Sequence, residues 1–151
     1  MMKIIGIVAA IGTILLGSVA SAAPDVPGNK ATKAVLPTGS KGIDGDLFGV
    51  GDSDWYRVQL TRAYAYGVLA IANCSETTVR LLDDKGRTLS SVRGFYEFPA
   101  CISHYTSYSG LYYVEIKSLG IHSECDPRRG GVYSGRFRLS AVRECGDEGH
   151  P

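Results

Sequence analysis

The stretch GDSDWYRVQL, from Gly51 to Leu60, decides how this chain is read. Its second half alternates: Tyr56, Val58 and Leu60 fall on one side, Trp55, Arg57 and Gln59 on the other. That is the two-residue period of a strand with one buried face. Its first half, Gly51 to Asp54, is turn chemistry carrying two carboxylates. The same grammar recurs downstream of Ile43, in YGVLAIANC, in TTVRLLD and RTLSSV joined by the turn DDKG, in FYEF, CISHYTS and SGLYYVEIKS, and lastly in GRFRLSAV. In SGLYYVEIKS the apolar side is Tyr112, Val114 and Ile116; Leu111, Tyr113, Glu115 and Lys117 take the other. YGVLAIANC is more uniformly apolar and reads as a central strand covered on both faces. Beyond the N-terminal segment no stretch keeps a helical period. Seven or eight short strands with turns between them predict an all-β fold, an antiparallel, jelly-roll-like β-sandwich. The pairing order cannot be read from this pattern.

Working outward, the N-terminus has one cation, Lys3, an apolar run from Ile4 to Val19, and the small residues Ala20, Ser21 and Ala22. This is the pattern of a secretory signal peptide. Gly6, Gly12 and Gly17 interrupt the run, and it falls short of the roughly 20 apolar residues of a spanning helix. The expected organisation is a signal peptide over 1–22, a flexible lead over 23–40 with one short strand at KAVL, a sandwich domain over 41–145, and a tail over 146–151. The protein is then secreted or periplasmic, with no membrane span after cleavage. Removing Lys3 from 16 cations leaves 15 against 15 acids, a formal charge of zero. A neutral chain has no overall electrostatic footprint for nucleic acid or an anionic membrane.

The four cysteines, Cys74, Cys101, Cys125 and Cys145, all follow the predicted cleavage site. They form no C-x-x-C and have no histidines at zinc-ligand spacing. In an oxidising compartment they are expected to form disulfides. Of the three possible pairings, Cys74 with Cys101 and Cys125 with Cys145 is favoured, since each joins neighbouring segments.

Four pieces, GIDGDLFGVGDSDWYRVQL, VRLLDDKGRTL, SGLYYVEIKS and GVYSGRFRLSAV, come in an order and spacing that resemble the bacterial pre-peptidase C-terminal domain. That family is a β-sandwich related to the collagen-binding domains of clostridial collagenases. The resemblance covers most of 33–142. It implies an accessory module of secreted hydrolases that binds matrix or polymer and in several members holds calcium. This chain carries no catalytic domain beside the module, and its cysteines are not part of the family pattern.

Calcium takes six to eight oxygen ligands from a compact set of carboxylates and carbonyls. Asp52 and Asp54 are the candidate ligands, with Asp44 and Asp46 close by in sequence. In the calcium-binding relatives a second acidic cluster lies upstream; here the lead offers only Asp25 and Asn29 among its lysines. The competing structural reading is that Asp52 and Ser53 cap a turn and that Asp54 accepts backbone N–H bonds. The spacing excludes an EF-hand.

No catalytic residues are assigned. There is no G-x-S-x-G elbow and no H-E-x-x-H, and none of His104, His122 and His150 sits in a local signature of a general base. Nine tyrosines against four phenylalanines favour rings with a polar handle. Trp55, Tyr96, Tyr105 and Tyr113 fall on outward or loop positions and are the candidate binding residues. The function expected is a non-catalytic binding or accessory module for an extracytoplasmic protein or polysaccharide. The alternatives are a calcium-stabilised structural module and, with less support, a small secreted hydrolase or peptidase inhibitor.

Overall fold

The computed structural model describes residues 25–39, 41–95 and 98–121, together with the strand backbone at 135–142. Eight strands follow one another: β1 (Ile43–Leu47), β2 (Ser53–Leu60), β3 (Ala65–Ala72), β4 (Ser75–Leu82), β5 (Thr88–Gly94), β6 (Ala100–Tyr105), β7 (Gly110–Ile121) and β8 (Gly135–Val142). They form two four-stranded antiparallel sheets, in the orders β1-β8-β3-β6 and β2-β7-β4-β5. Eight strands crossing between two sheets in this way make a jelly roll, as the alternating runs predict.

Alternation builds the core. Along β2 the buried residues are Asp54, Tyr56, Val58 and Leu60. Opposite them in register on β7 stand Ile116, Val114, Tyr112 and Gly110. Val79 and Leu81 of β4 continue that inner face, and Val68, Ala70 and Ile102 come from the facing sheet. The DDKG turn closes the β4–β5 hairpin as expected. The Gly86 N–H donates to the Asp83 carbonyl and the Asp83 N–H to that of Arg87. Gly86 sits at φ 82°, where a side chain is disfavoured.

Three expectations are corrected. First, β3 is interior to its sheet, but its outward side is not fully covered: Ile71 is 39% exposed and Leu69 half-buried, with no second layer over that side among the described residues. Second, Phe95 and Phe98 of FYEF lie in no strand, while Tyr96 and Glu97 are outside the described residues. Phe95 and Phe98 instead bridge each other between β5 and β6, with the Phe98 N–H donating to the Phe95 carbonyl. Third, the N-terminal lead is docked. Val35 pairs in parallel with Arg57, the Leu36 N–H donates to the Arg57 carbonyl and the Arg57 N–H to that of Ala34. Leu36 is buried in the core, which anchors KAVL.

The register also bears on the cysteines. Cys101 stands opposite Leu69, three residues before β3 ends at Ala72. At about 3.3 Å per residue that end is about 10 Å away, beyond the ~7 Å Cα separation a disulfide spans. Cys74 lies past it, in the turn to the other sheet, so the favoured Cys74–Cys101 pairing does not fit. Cys125 and Cys145 lie outside the described residues.

Candidate functional site

At the start of β2 the chain makes two glycine-dependent bends. Gly49 (φ 144°) and Gly51 (φ 90°) carry it around a turn that tucks Asp52 back under β1. The turn is tied to β7, since the Gly51 N–H donates to the Ser118 carbonyl and the Ser118 N–H to that of Asp52. Asp52 does what the turn reading expects: its carboxylate accepts from the N–H groups of Phe48 and Ser53.

Asp54 does not. It is 1% exposed, and its Oδ1 is buried with no hydrogen-bond partner. The docked lead brings a third acid: one carboxylate oxygen each from Asp25, Asp52 and Asp54 fall within 4.8 Å of one another. Gly28 allows this approach, since a Cβ there would lie 2.4 Å from the Ser53 carbonyl oxygen. Asp54 also lines a cavity of about 40 Å³, with Asp25, Val26, Asp44, Gly45, Asp46, Phe48 and Tyr56. That space is large enough for a water or an ion.

Burial, and after it the charges of Asp52, Asp25 and Asp46, together push the Asp54 carboxyl up from 3.8 to about 7. A buried acid crowded by acids and lacking a donor is costly unless a cation joins it. The donor set is oxygen only, which suits a hard divalent cation such as calcium. The residues present therefore fit the ion. Sequence reasoning named Asp52 and Asp54, and it set Asp25 aside because a single upstream acid among lysines looked insufficient. The signal for Asp25 is Gly28, which only the packed lead makes legible.

The aromatic candidates separate. Trp55 and Tyr113 meet on the outer face of the β2-β7-β4-β5 sheet, ring centroids 5.9 Å apart at 56°. Both point outward, as the alternation predicts, but Tyr113 is only 7% exposed because its neighbours cover it. Tyr105 lies on the other sheet, opposite Ala65 and 65% exposed. Tyr96 lies outside the described residues.

A residue the sequence did not single out organises the first face. Glu115 accepts from Ser53 Oγ (2.8 Å), Trp55 Nε1 (3.2 Å) and Arg80 Nε. Burial alone would push its carboxyl up; the bond from Arg80, with those from Ser53 and Trp55, outweighs burial and holds it below the usual carboxylate range. The rotamer of Trp55 is thereby fixed.

No protein-family description and no curated protein sequence matches the chain. In structure it resembles the pre-peptidase C-terminal domain of a collagenase from Bacillus anthracis, with a TM-score of 0.54 at 16% identity. That match covers 75% of this chain and 98% of the other. The shared property is the fold, a β-sandwich of the kind the sequence resemblance implies. A periplasmic inhibitor of g-type lysozyme from Aeromonas hydrophila aligns at a TM-score of 0.39 and 12% identity, over 72% of this chain and 96% of its own. The carbohydrate-binding module CBM36, in complex with calcium and xylotriose, aligns at 0.34 and 16%, over 70% and 93%.

Proposed function

We propose that the chain is an exported, non-catalytic β-sandwich module that holds calcium at Asp25, Asp52 and Asp54 and engages an extracytoplasmic protein or polysaccharide. One observation carries the reading: the buried, unpartnered Oδ1 of Asp54, facing a small cavity lined by acids. Asp44 and Asp46 line the same cavity and add to its negative charge. A bound divalent cation would supply charge compensation, tying the lead to β2 and to the β1–β2 turn. The binding role rests on the outer sheet face, where Trp55 is fixed by Glu115 and Tyr113. Export follows from the N-terminal pattern of residues 1–22, and with it disulfide bonding of the four cysteines, Cys74 and Cys101 not with each other but with Cys125 and Cys145.

The test is calorimetric titration of the mature, oxidised protein with calcium, alongside Asp54→Asn. Saturable binding that the substitution weakens at least tenfold supports the site; no heat above dilution would remove it. A pull-down against envelope and extracellular material, with and without calcium, tests the partner class.

A further inference from the structure

The chain carries a formal charge of only +1, yet its charges are segregated. Five acids, Asp25, Asp44, Asp46, Asp52 and Asp54, gather at the cation cavity. The outer face of the β2-β7-β4-β5 sheet has the opposite sign. Cross-strand neighbours there are Trp55 with Glu115, Arg57 with Tyr113 and Ser53 with Lys117 on one side of β7; on its other side Arg80 faces Glu115 and Thr78 faces Lys117. The docked lead widens the face. Val35 pairs with Arg57, so Lys33, two residues earlier and exposed, lies level with Trp55. Among the described residues this face bears five cations, Lys33, Arg57, Arg80, Arg93 and Lys117. Its two carboxylates are both engaged, Glu115 by Arg80 and Glu76 by Arg93. Lys33, Arg57 and Lys117 have no acidic partner among the described residues and surround the partly exposed Trp55 ring.

We infer that this face, centred on Trp55, docks an acidic polysaccharide strand, with the sugar ring stacked on the indole and its carboxylates met by Lys33, Arg57 and Lys117. This rests on the binding-module reading and names the class of its partner. The chemistry favours a glycan because it needs both features together. A ring whose rotamer is already fixed loses little freedom on stacking, and cations on both sides of it select charged sugars over neutral ones. Arg57 and Lys117 lie four residues apart along the strand direction, about 13 Å, so they serve successive charges of an extended chain rather than one compact anion.

The experiment is titration of the mature protein with hyaluronan and oligogalacturonate fragments, compared with neutral chitin oligomers, single-stranded DNA and phosphatidylglycerol vesicles, each in calcium and in chelator. Binding to the acidic fragments that weakens with salt, and falls about tenfold in Lys33→Gln/Arg57→Gln/Lys117→Gln, supports the proposal. These positions are at or near the surface, so the triple variant is expected to fold; Trp55→Phe, which keeps a ring but loses the bond to Glu115, should also weaken binding. Equal affinity for neutral chitin oligomers, tighter binding to DNA or vesicles, or no binding to the acidic fragments would each overturn it. Capture on envelope material without acidic-glycan binding overturns this inference and leaves the broader module reading standing. Acidic-glycan binding without any calcium response does the reverse to the cation site alone.

Discussion

Asp54 is the residue on which the cation site turns, and its sign is opposite to that of an ordinary surface acid. Its folded pKa of about 7 lies above the ordinary value of 3.8, so between these values the folded state keeps a proton that the unfolded chain has lost. Stability of the metal-free protein should therefore fall as pH rises from about 4 through about 7, by on the order of 4 kcal/mol at most. Urea denaturation in chelator at pH 5 and pH 8 measures this. Asp54→Asn should flatten the dependence and raise metal-free stability at pH 8. Glu115 behaves conventionally: held low, it contributes stability above its unfolded value that is lost as pH falls through the folded one. Glu115→Ala removes three hydrogen bonds and leaves Arg80 partly buried without its anion, at a cost of about 2 kcal/mol. A loss under 0.5 kcal/mol would show that the cluster is decoration.

At the scale of elements, the docked lead is what the structure adds. Leu36→Ala empties a core position and should cost about 2–4 kcal/mol, a loss a mobile lead could not produce. Gly28→Ala places a Cβ against the Ser53 carbonyl, so it should push Asp25 away and weaken calcium binding at least tenfold, with a smaller effect on folding. Calorimetry on that variant separates the two effects. The strands were legible because period-two alternation is a local signal: Tyr56, Val58 and Leu60, like Tyr112, Val114 and Ile116, point where their spacing says. The lead was not legible, because its apolar contacts, Leu36 with Val26 and Ala34, follow no strand or helix period and are made to residues distant in sequence. β3 misled because its outward Leu69 and Ile71 are apolar yet have no second layer over them among the described residues. Glu115 was passed over because a single acid on an alternating strand looks solvated until Ser53, Trp55 and Arg80 converge on it.

Over the whole molecule, an almost neutral net charge conceals an acidic end and a basic sheet face, so the composition that argued against an electrostatic partner describes the sum and not the distribution. The jelly roll places the two features on adjoining parts of β2, with Asp54 directed inward and Trp55 outward. A cation at the first therefore fixes the strand that presents the second. The most direct measurement is thermal unfolding of the mature, oxidised protein at pH 7.5, in chelator and in calcium at about one hundred times its dissociation constant. Binding to the folded state alone should contribute about 2.7 kcal/mol, raising Tm by about 10 °C, and Asp54→Asn should abolish the rise. A wild-type melting curve unchanged by calcium would contradict the site.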